Sequence, residues 1–292
     1  AHKNMYLNDQ GDVVDNITLI GGQAAGVPGT VAGFWEAHQR FGQLPWKDLV
    51  QPAIELADKG FMPAPILVES IHSMEQRFEG ATNFNDYFNS ISSDSLFRQP
   101  ELANTLRRIA EFGADDFYRG ETAALIVQQM EKSNGLISLE DLDAYAAVWR
   151  APVRAGWRDY EIISAPPPSS GGFAIVQLLK MKDYLSELFE GVEHNSAQYI
   201  HLVAEMEKRV FADRAEYLGD PDFFDIDIDA LIDDDYLARR AAEVNPKAIS
   251  VLDSINAGLE SPNTTHYSIV DQWGNAVSNT YTINWDYGSG VV

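Results

Sequence analysis

The chain contains no cysteine. That excludes a disulfide framework, a thiolate metal site and a cysteine nucleophile. Basic residues are scarce as well: 21 Lys and Arg stand against 44 Asp and Glu, for a formal net charge of −23. A surface of that sign repels phosphate backbones and anionic headgroups, so nucleic acid and acidic membranes are disfavoured partners. No apolar run approaches the roughly 20 residues that a membrane span needs. The opening Ala1-His2-Lys3-Asn4-Met5 shows no signal-peptide pattern. Internal repeats and low-complexity tracts are also missing. What is present is ordinary for a globular protein: 45% hydrophobic and 11% aromatic residues. The 292 residues suffice for one large domain or two modest ones. Both ends read as interior segments, the last of them, Tyr281 to Val292, strand-like and ending on Gly288-Ser289-Gly290-Val291-Val292, so the parent polypeptide is expected to continue on each side.

Helix signals dominate most of the chain. Gly21-Gly22 to Gly29 is a small-residue loop suited to close backbone packing; without a lysine it is no phosphate loop. Thr30 is a plausible cap for a helix from Val31 to about Phe41, stopped by Gly42. Further helices are expected from Pro45 to Gly60, over Leu67–Phe78, Leu102–Phe112 and Thr122–Met130, and from the capping box Ser138-Leu139-Glu140-Asp141 to about Ala147. The polar, irregular stretch from Glu79 to Gln99 reads as a long surface loop. Tyr160–Ser164 reads as a strand running into the rigid turn Pro166-Pro167-Pro168-Ser169-Ser170-Gly171-Gly172. A helix follows to Tyr184, then a longer one, capped by Asn195 or Ser196, to about Tyr217. Leu202, Val203, Met206, Val210 and Phe211 mark its inner face. Another helix is expected near Tyr236–Val244.

The period changes near residue 263. Thr265, Tyr267 and Ile269 alternate with His266, Ser268 and Val270, the turn Asp271-Gln272-Trp273-Gly274-Asn275 follows, and Ala276–Asn284 reads as a second strand. Where the polar linker meets the first strand stands Asn263-Thr264. A threonine hydroxyl is a poor nucleophile at neutral pH, but a free α-amine on the same residue can serve as its base. That requires cleavage of the peptide bond before Thr264, which its own hydroxyl can begin by attacking the preceding carbonyl. Thr-Thr at a strand start also has a plain structural explanation, since β-branched residues favour strands.

Four segments in order resemble one family. They are Gly26-Val27-Pro28-Gly29-Thr30-Val31-Ala32-Gly33, the Pro166–Gly172 turn, Ala212-Asp213-Arg214-Ala215-Glu216-Tyr217-Leu218-Gly219-Asp220-Pro221, and Asn263-Thr264-Thr265-His266-Tyr267-Ser268 with Gly274-Asn275-Ala276-Val277 and Thr280-Tyr281-Thr282-Ile283-Asn284. Together they are similar to the γ-glutamyltransferases, and they cover nearly the whole chain. The resemblance implies an α+β protein of the N-terminal-nucleophile hydrolase αββα sandwich, incomplete here: a helix-rich large-subunit portion over residues 1–263, then a β-hairpin opening the small subunit over 264–292. It implies self-cleavage between Asn263 and Thr264, with Thr264 as nucleophile. Thr282 would hydrogen-bond to and polarise it, and Asn284 would contact the α-amino and carboxylate end of a γ-glutamyl group. The implied substrate is a γ-glutamyl amide such as glutathione, passed to water or an amine. The implied partners are the two subunits of one precursor, with no cofactor or metal, in the periplasm or outside the cell. The family's carboxylate-gripping arginine, paired aspartates and oxyanion-hole glycines would lie outside this sequence, so the isolated chain is expected to be uncut and inactive. Two other readings stand beside this one: a non-catalytic scaffold relic of the fold, or a related acylase or poly-γ-glutamate transpeptidase.

Other clusters are weaker. Asp225, Asp227 and Asp229 mimic a calcium loop, but Ala230 and Tyr236 stand where it needs glycine and glutamate. His194, His201 and His266 lack metal-ligand spacing, and strand packing accounts for His266. Ser169 and Ser170 have no histidine near them in sequence.

Overall fold

The computed structural model describes residues 4–251 and 264–292. Packing separates the chain into two compact units, Ala1–Val148 with Glu260–Val292, and Trp149–Leu259. The expected division at residue 263/264 is a different kind of boundary, a break in the covalent chain that packing neither requires nor excludes.

In the first unit the helices are α1 (Thr30–Phe41), α2 (Trp46–Lys59), α3 (Pro65–Phe78), α4 (Phe84–Phe88), α5 (Pro100–Phe112), α6 (Ala114–Arg119), α7 (Glu121–Lys132) and α8 (Leu139–Asp143). Thr30 is the first helical residue and not the cap; Gly29 holds that place without a side-chain bond. Gly29 is small for a reason: a Cβ there would fall 2.1 Å from the Tyr145 hydroxyl oxygen. Ser138 forms the expected capping box with Asp141, although α8 stops at Asp143. The largest departure is Glu79–Gln99. It contains α4, and Phe84 and Ile91 are buried with Ile71 and Phe78, with Phe88 and Phe97 packed against them. The aromatic residues of that stretch form a core, which outweighs the polarity of the residues between them. A second cluster joins Tyr118, Ala123, Met130, Ile137 and Leu142 to the side chains of Val27 and Val31.

The second unit opens with β1 (Val153–Trp157) and β2 (Tyr160–Ser164), an antiparallel pair in which Val153 faces Ser164 and Trp157 faces Tyr160. There follow α9 (Gly171–Tyr184), α10 (Ser186–Phe189), α11 (Ala197–Tyr217), α12 (Ile228–Leu231) and α13 (Asp234–Ala242). Ser196 caps α11 by accepting from the Tyr199 N–H. Leu202, Met206 and Val210 are buried on its inner face with Phe173, Val176, Met181 and Leu237, whereas Phe211 is exposed. The same helix buries a polar row: Glu205, Arg209 and Asp213 are each under 5% exposed. Glu205 accepts from Arg209, Lys208 and the Ser250 N–H, and Arg240 and the Tyr236 hydroxyl donate to Asp213. Buried charge is tolerated where it is paired and hydrogen-bonded in this way. The acidic stretch has a structural use too, since the Asp227 carboxylate caps α12 by accepting from the Ala230 N–H.

The chain's close returns to the first unit as the hairpin β3 (Thr265–Val270) and β4 (Ala276–Tyr281). The second strand is three residues shorter than expected. Residues after Tyr281 turn back on themselves instead of extending, and their packing on the helices of this unit replaces the strand-like end. Among the described residues the four strands form two separate two-stranded sheets.

Candidate active site

Turn chemistry sets the hairpin register. The Asp271 carboxylate accepts from the Trp273 and Asn275 backbone N–H groups, both at 2.9 Å, and from the Asn275 side chain at 2.8 Å. Those bonds, the Asn275 side chain foremost, hold the carboxyl below its usual range. Gly274 takes a positive φ of 83°, which lets the turn close. Val270 then pairs with Ala276 and Thr265 with Tyr281. Continuing the ladder by one step puts Thr264 opposite Thr282.

Alternation assigns the side chains to faces. One face carries Thr264, His266 and Ser268 against Thr282, Thr280 and Ser278. The other carries Tyr267 and Ile269 against Asn279 and Val277. The first face is a ladder of hydroxyls and one imidazole. The Thr264 hydroxyl donates to Thr282 Oγ1 at 3.3 Å. His266 Nδ1 lies 2.7 Å from Thr280 Oγ1, and its Nε2 lies 3.3 and 3.4 Å from the hydroxyls of Ser268 and Ser278. Sequence reasoning assigned His266 to strand packing; it is instead exposed and hydrogen-bonded among hydroxyls. The signal was there in the period-2 spacing of Ser, Thr and His on both strands.

The arrangement brings together the two threonines singled out from sequence. Thr282 Oγ1 accepts a second hydrogen bond, from the Asn284 N–H at 2.9 Å. Asn284 takes a φ of 68°, a conformation that asparagine tolerates better than most residues. Asn263 lies outside the described residues. Thr264 is solvent-exposed, so a reacting carbonyl has access to its hydroxyl. The other histidines have local partners: His201 Nε2 lies 2.9 Å from the Asn245 carbonyl oxygen, and His194 meets the Tyr199 ring edge-on. Among the described residues no three His, Asp or Glu side chains group as a metal site would need.

Comparison with known proteins places this hairpin in a family. The family model described as gamma-glutamyltranspeptidase matches residues 1–292, the whole chain. The chain belongs to the gamma-glutamyltranspeptidase family. It is 55% identical over 292 residues to a glutathione hydrolase proenzyme of Pseudomonas aeruginosa, covering 100% of this chain and 52% of the relative. A glutathione hydrolase proenzyme of Escherichia coli K12 is 39% identical over 306 residues, with 100% and 52% covered. Among solved structures, a gamma-glutamyltranspeptidase from Pseudomonas nitroreducens superposes with a TM-score of 0.84 at 52% identity, over 89% of this chain and 78% of that one. The expected fold class is therefore correct: a helix-rich α+β portion of the fold seen in gamma-glutamyltranspeptidase structures. The chain spans about half the length of the curated relatives it matches. No helix among the described residues is long and apolar enough to cross a membrane.

Proposed function

We propose that this chain carries the self-cleavage point and nucleophile of a γ-glutamyltransferase that acts on glutathione-like amides. One observation carries the reading: at the head of β3 the exposed Thr264 hydroxyl donates to Thr282 Oγ1, which also accepts from the Asn284 N–H. A hydroxyl donating to a neighbouring oxygen is more electron-rich at its own oxygen, which favours attack.

The first reaction is the cut. Thr264 Oγ adds to the carbonyl carbon of Asn263 and loses its proton. The Asn263–Thr264 C–N bond breaks, the departing nitrogen takes a proton, and an ester joins the Asn263 acyl group to Thr264 Oγ. Water hydrolyses the ester, leaving the Asn263 carboxylate and a free amine on Thr264. The second reaction reuses the hydroxyl, with that amine as base. Thr264 Oγ attacks the γ-carbonyl of the substrate, the amine leaving group departs with a proton, and a γ-glutamyl ester forms. Water or an acceptor amine then releases it. Asn284 is assigned to the amino acid end of the γ-glutamyl group. No metal or cofactor enters either step. The two portions, 1–263 and 264–292 onward, would be large and small subunits of one precursor in the periplasm or outside the cell. Turnover would also need groups from the rest of the relatives' length.

The test is intact-mass measurement of the full-length protein. Two products divided before Thr264, and one uncut chain for Thr264→Ala, are the expected results. A folded wild type that stays whole would favour the non-catalytic scaffold instead.

A further inference from the structure

The hairpin that carries Thr264 is poorly supported by its own packing. Every residue of β3 is exposed, and in β4 only Asn279 is partly covered. The residues just after it are held differently. The Arg77 guanidinium lies over the Trp285 ring, 5.0 Å from its centre. Tyr287 packs edge-on to the buried Phe84 at 5.2 Å, and its hydroxyl donates to Ser70 at 3.0 Å. The Gly21 N–H donates to the Ser289 carbonyl. The Asn83 side chain grips the backbone of Val292 twice, donating to its carbonyl at 2.6 Å and accepting from its N–H at 2.8 Å. Gly290 takes a φ of 74°, and a Cβ there would sit 2.3 Å from a ring carbon of Phe78, which is 1% exposed and has no room to retreat. Val291 enters one hydrophobic cluster of the unit while Tyr287 enters the other.

The geometry points to Trp285–Val292 as a positioning strap for the Thr264–Thr282 pair, with Asn83, Tyr287 and Gly290 holding it in place. This rests on the proposed role of Thr264. The link is short. The Trp285 N–H donates to the Ile283 carbonyl, and the Asn284 N–H fills one acceptor site of Thr282 Oγ1. The strap therefore fixes the backbone that orients the Thr282 hydroxyl. Asn284 and Tyr287 both take positive φ, 68° and 63°, conformations that persist where the surroundings enforce them. An exposed hairpin gains its aim from its anchored end, and a misplacement of about 1 Å can slow a reaction on the order of 100-fold. None of Asn83, Tyr287 and Gly290 touches the reacting atoms; they act through Thr282.

The experiment uses the full-length protein made by cell-free synthesis, with precursor conversion followed by intact mass. Asn83→Ala and Gly290→Ala are compared with wild type and with Ile109→Ala, a buried α5 residue outside both clusters that the strap enters. All are measured well below their melting temperatures. Asn83→Ala and Gly290→Ala should cut at least about tenfold more slowly. Once cut, they should show reduced kcat toward a γ-glutamyl anilide with KM little changed. Ile109→Ala should cut at the wild-type rate despite a comparable melting loss. If Gly290→Ala fails to fold, the half-buried Asn83 position decides alone. Wild-type cutting by folded Asn83→Ala, or equal slowing by Ile109→Ala, overturns the strap and leaves the nucleophile assignment intact. A wild type that stays whole overturns both.

Discussion

The buried carboxylate of Glu205 makes acid stability a direct test of the packing in the second unit. Its side chain is 1% exposed. It accepts from Lys208 Nζ at 2.6 Å, Arg209 Nη1 at 3.0 Å and the Ser250 N–H at 3.0 Å. Burial alone would push its pKa up. The hydrogen bonds from Lys208, Ser250 and Arg209 outweigh that and bring it from 4.5 to about 2. With the folded value below the unfolded one, the folded state binds fewer protons. The stabilisation is complete above pH 4.5 and is lost as pH falls toward 2. The difference between 4.5 and about 2 corresponds to about 3 kcal/mol, and linkage leaves about half of it at pH 3. Glu205→Gln keeps the shape and removes the charge. Arg209 keeps its bonds to the carbonyls of Glu205 and Glu243, so the variant should fold while losing about 2–3 kcal/mol at pH 7, toward the low end for breaking a buried pair. The assay is urea unfolding of both proteins, followed by circular dichroism at fixed pH values from 7 to 3. The other carboxylates titrate alike in both proteins and cancel in the difference. A gap that stays constant from pH 7 to 3, or no gap at pH 7, would refute the reasoning.

Three further outcomes are expected. Thr282→Val removes the acceptor of the Thr264 hydroxyl and should slow self-cleavage of the full-length protein about tenfold, the equivalent of one hydrogen bond of about 1.4 kcal/mol; a gel time course matching wild type would count against the pairing. Gly172→Ala should lower the melting temperature by several degrees, because its Cβ would sit 2.1 Å from the Ala165 carbonyl oxygen; neighbouring Gly171→Ala, whose nearest neighbour is 3.6 Å away, should melt like wild type. The 292-residue chain by itself should release no chromophore from a γ-glutamyl anilide, and release by it would show that the reaction needs nothing beyond these residues.

Much of the fold was legible because local signals agreed with packing. Ser138 and Ser196 announce helices by capping chemistry, and the structure uses both. Tyr160–Ser164 was read to its correct ends. Its partner Val153-Arg154-Ala155-Gly156-Trp157 escapes a sequence reading: Val153, Ala155 and Trp157 alternate with Arg154 and Gly156, as their burial does, but five residues that include Ala and Gly carry little strand propensity, and the pairing with β2 makes the strand. Glu79–Gln99 was misread for a related reason. Phe84, Phe88 and Phe97 follow no single period, and their burial comes from Phe78 and Ile71, which belong to another helix. Pairing decides the first segment and tertiary packing the second, and neither is announced by the propensities of the residues themselves.

The site divides along the same line. That Thr264 faces Thr282 follows from strand alternation and from the turn at Asp271, Gly274 and Asn275. A slip of one residue in the pairing would send one of the two hydroxyls to the opposite face. Turn residues with no chemical role in either proposed step thus set which oxygen Thr264 meets, and that much a sequence can reveal. What keeps the pair aimed is different in kind. Gly288-Ser289-Gly290 looked like an extended end, yet Gly288 and Gly290 take positive φ, and the segment folds onto Phe78, Asn83 and Phe84, residues some two hundred positions earlier. Local sequence specified the meeting of the two hydroxyls; distant packing fixes the frame in which they meet. An isolated hairpin peptide with the Thr265–Tyr281 register would therefore keep the pairing rule and lose the aim.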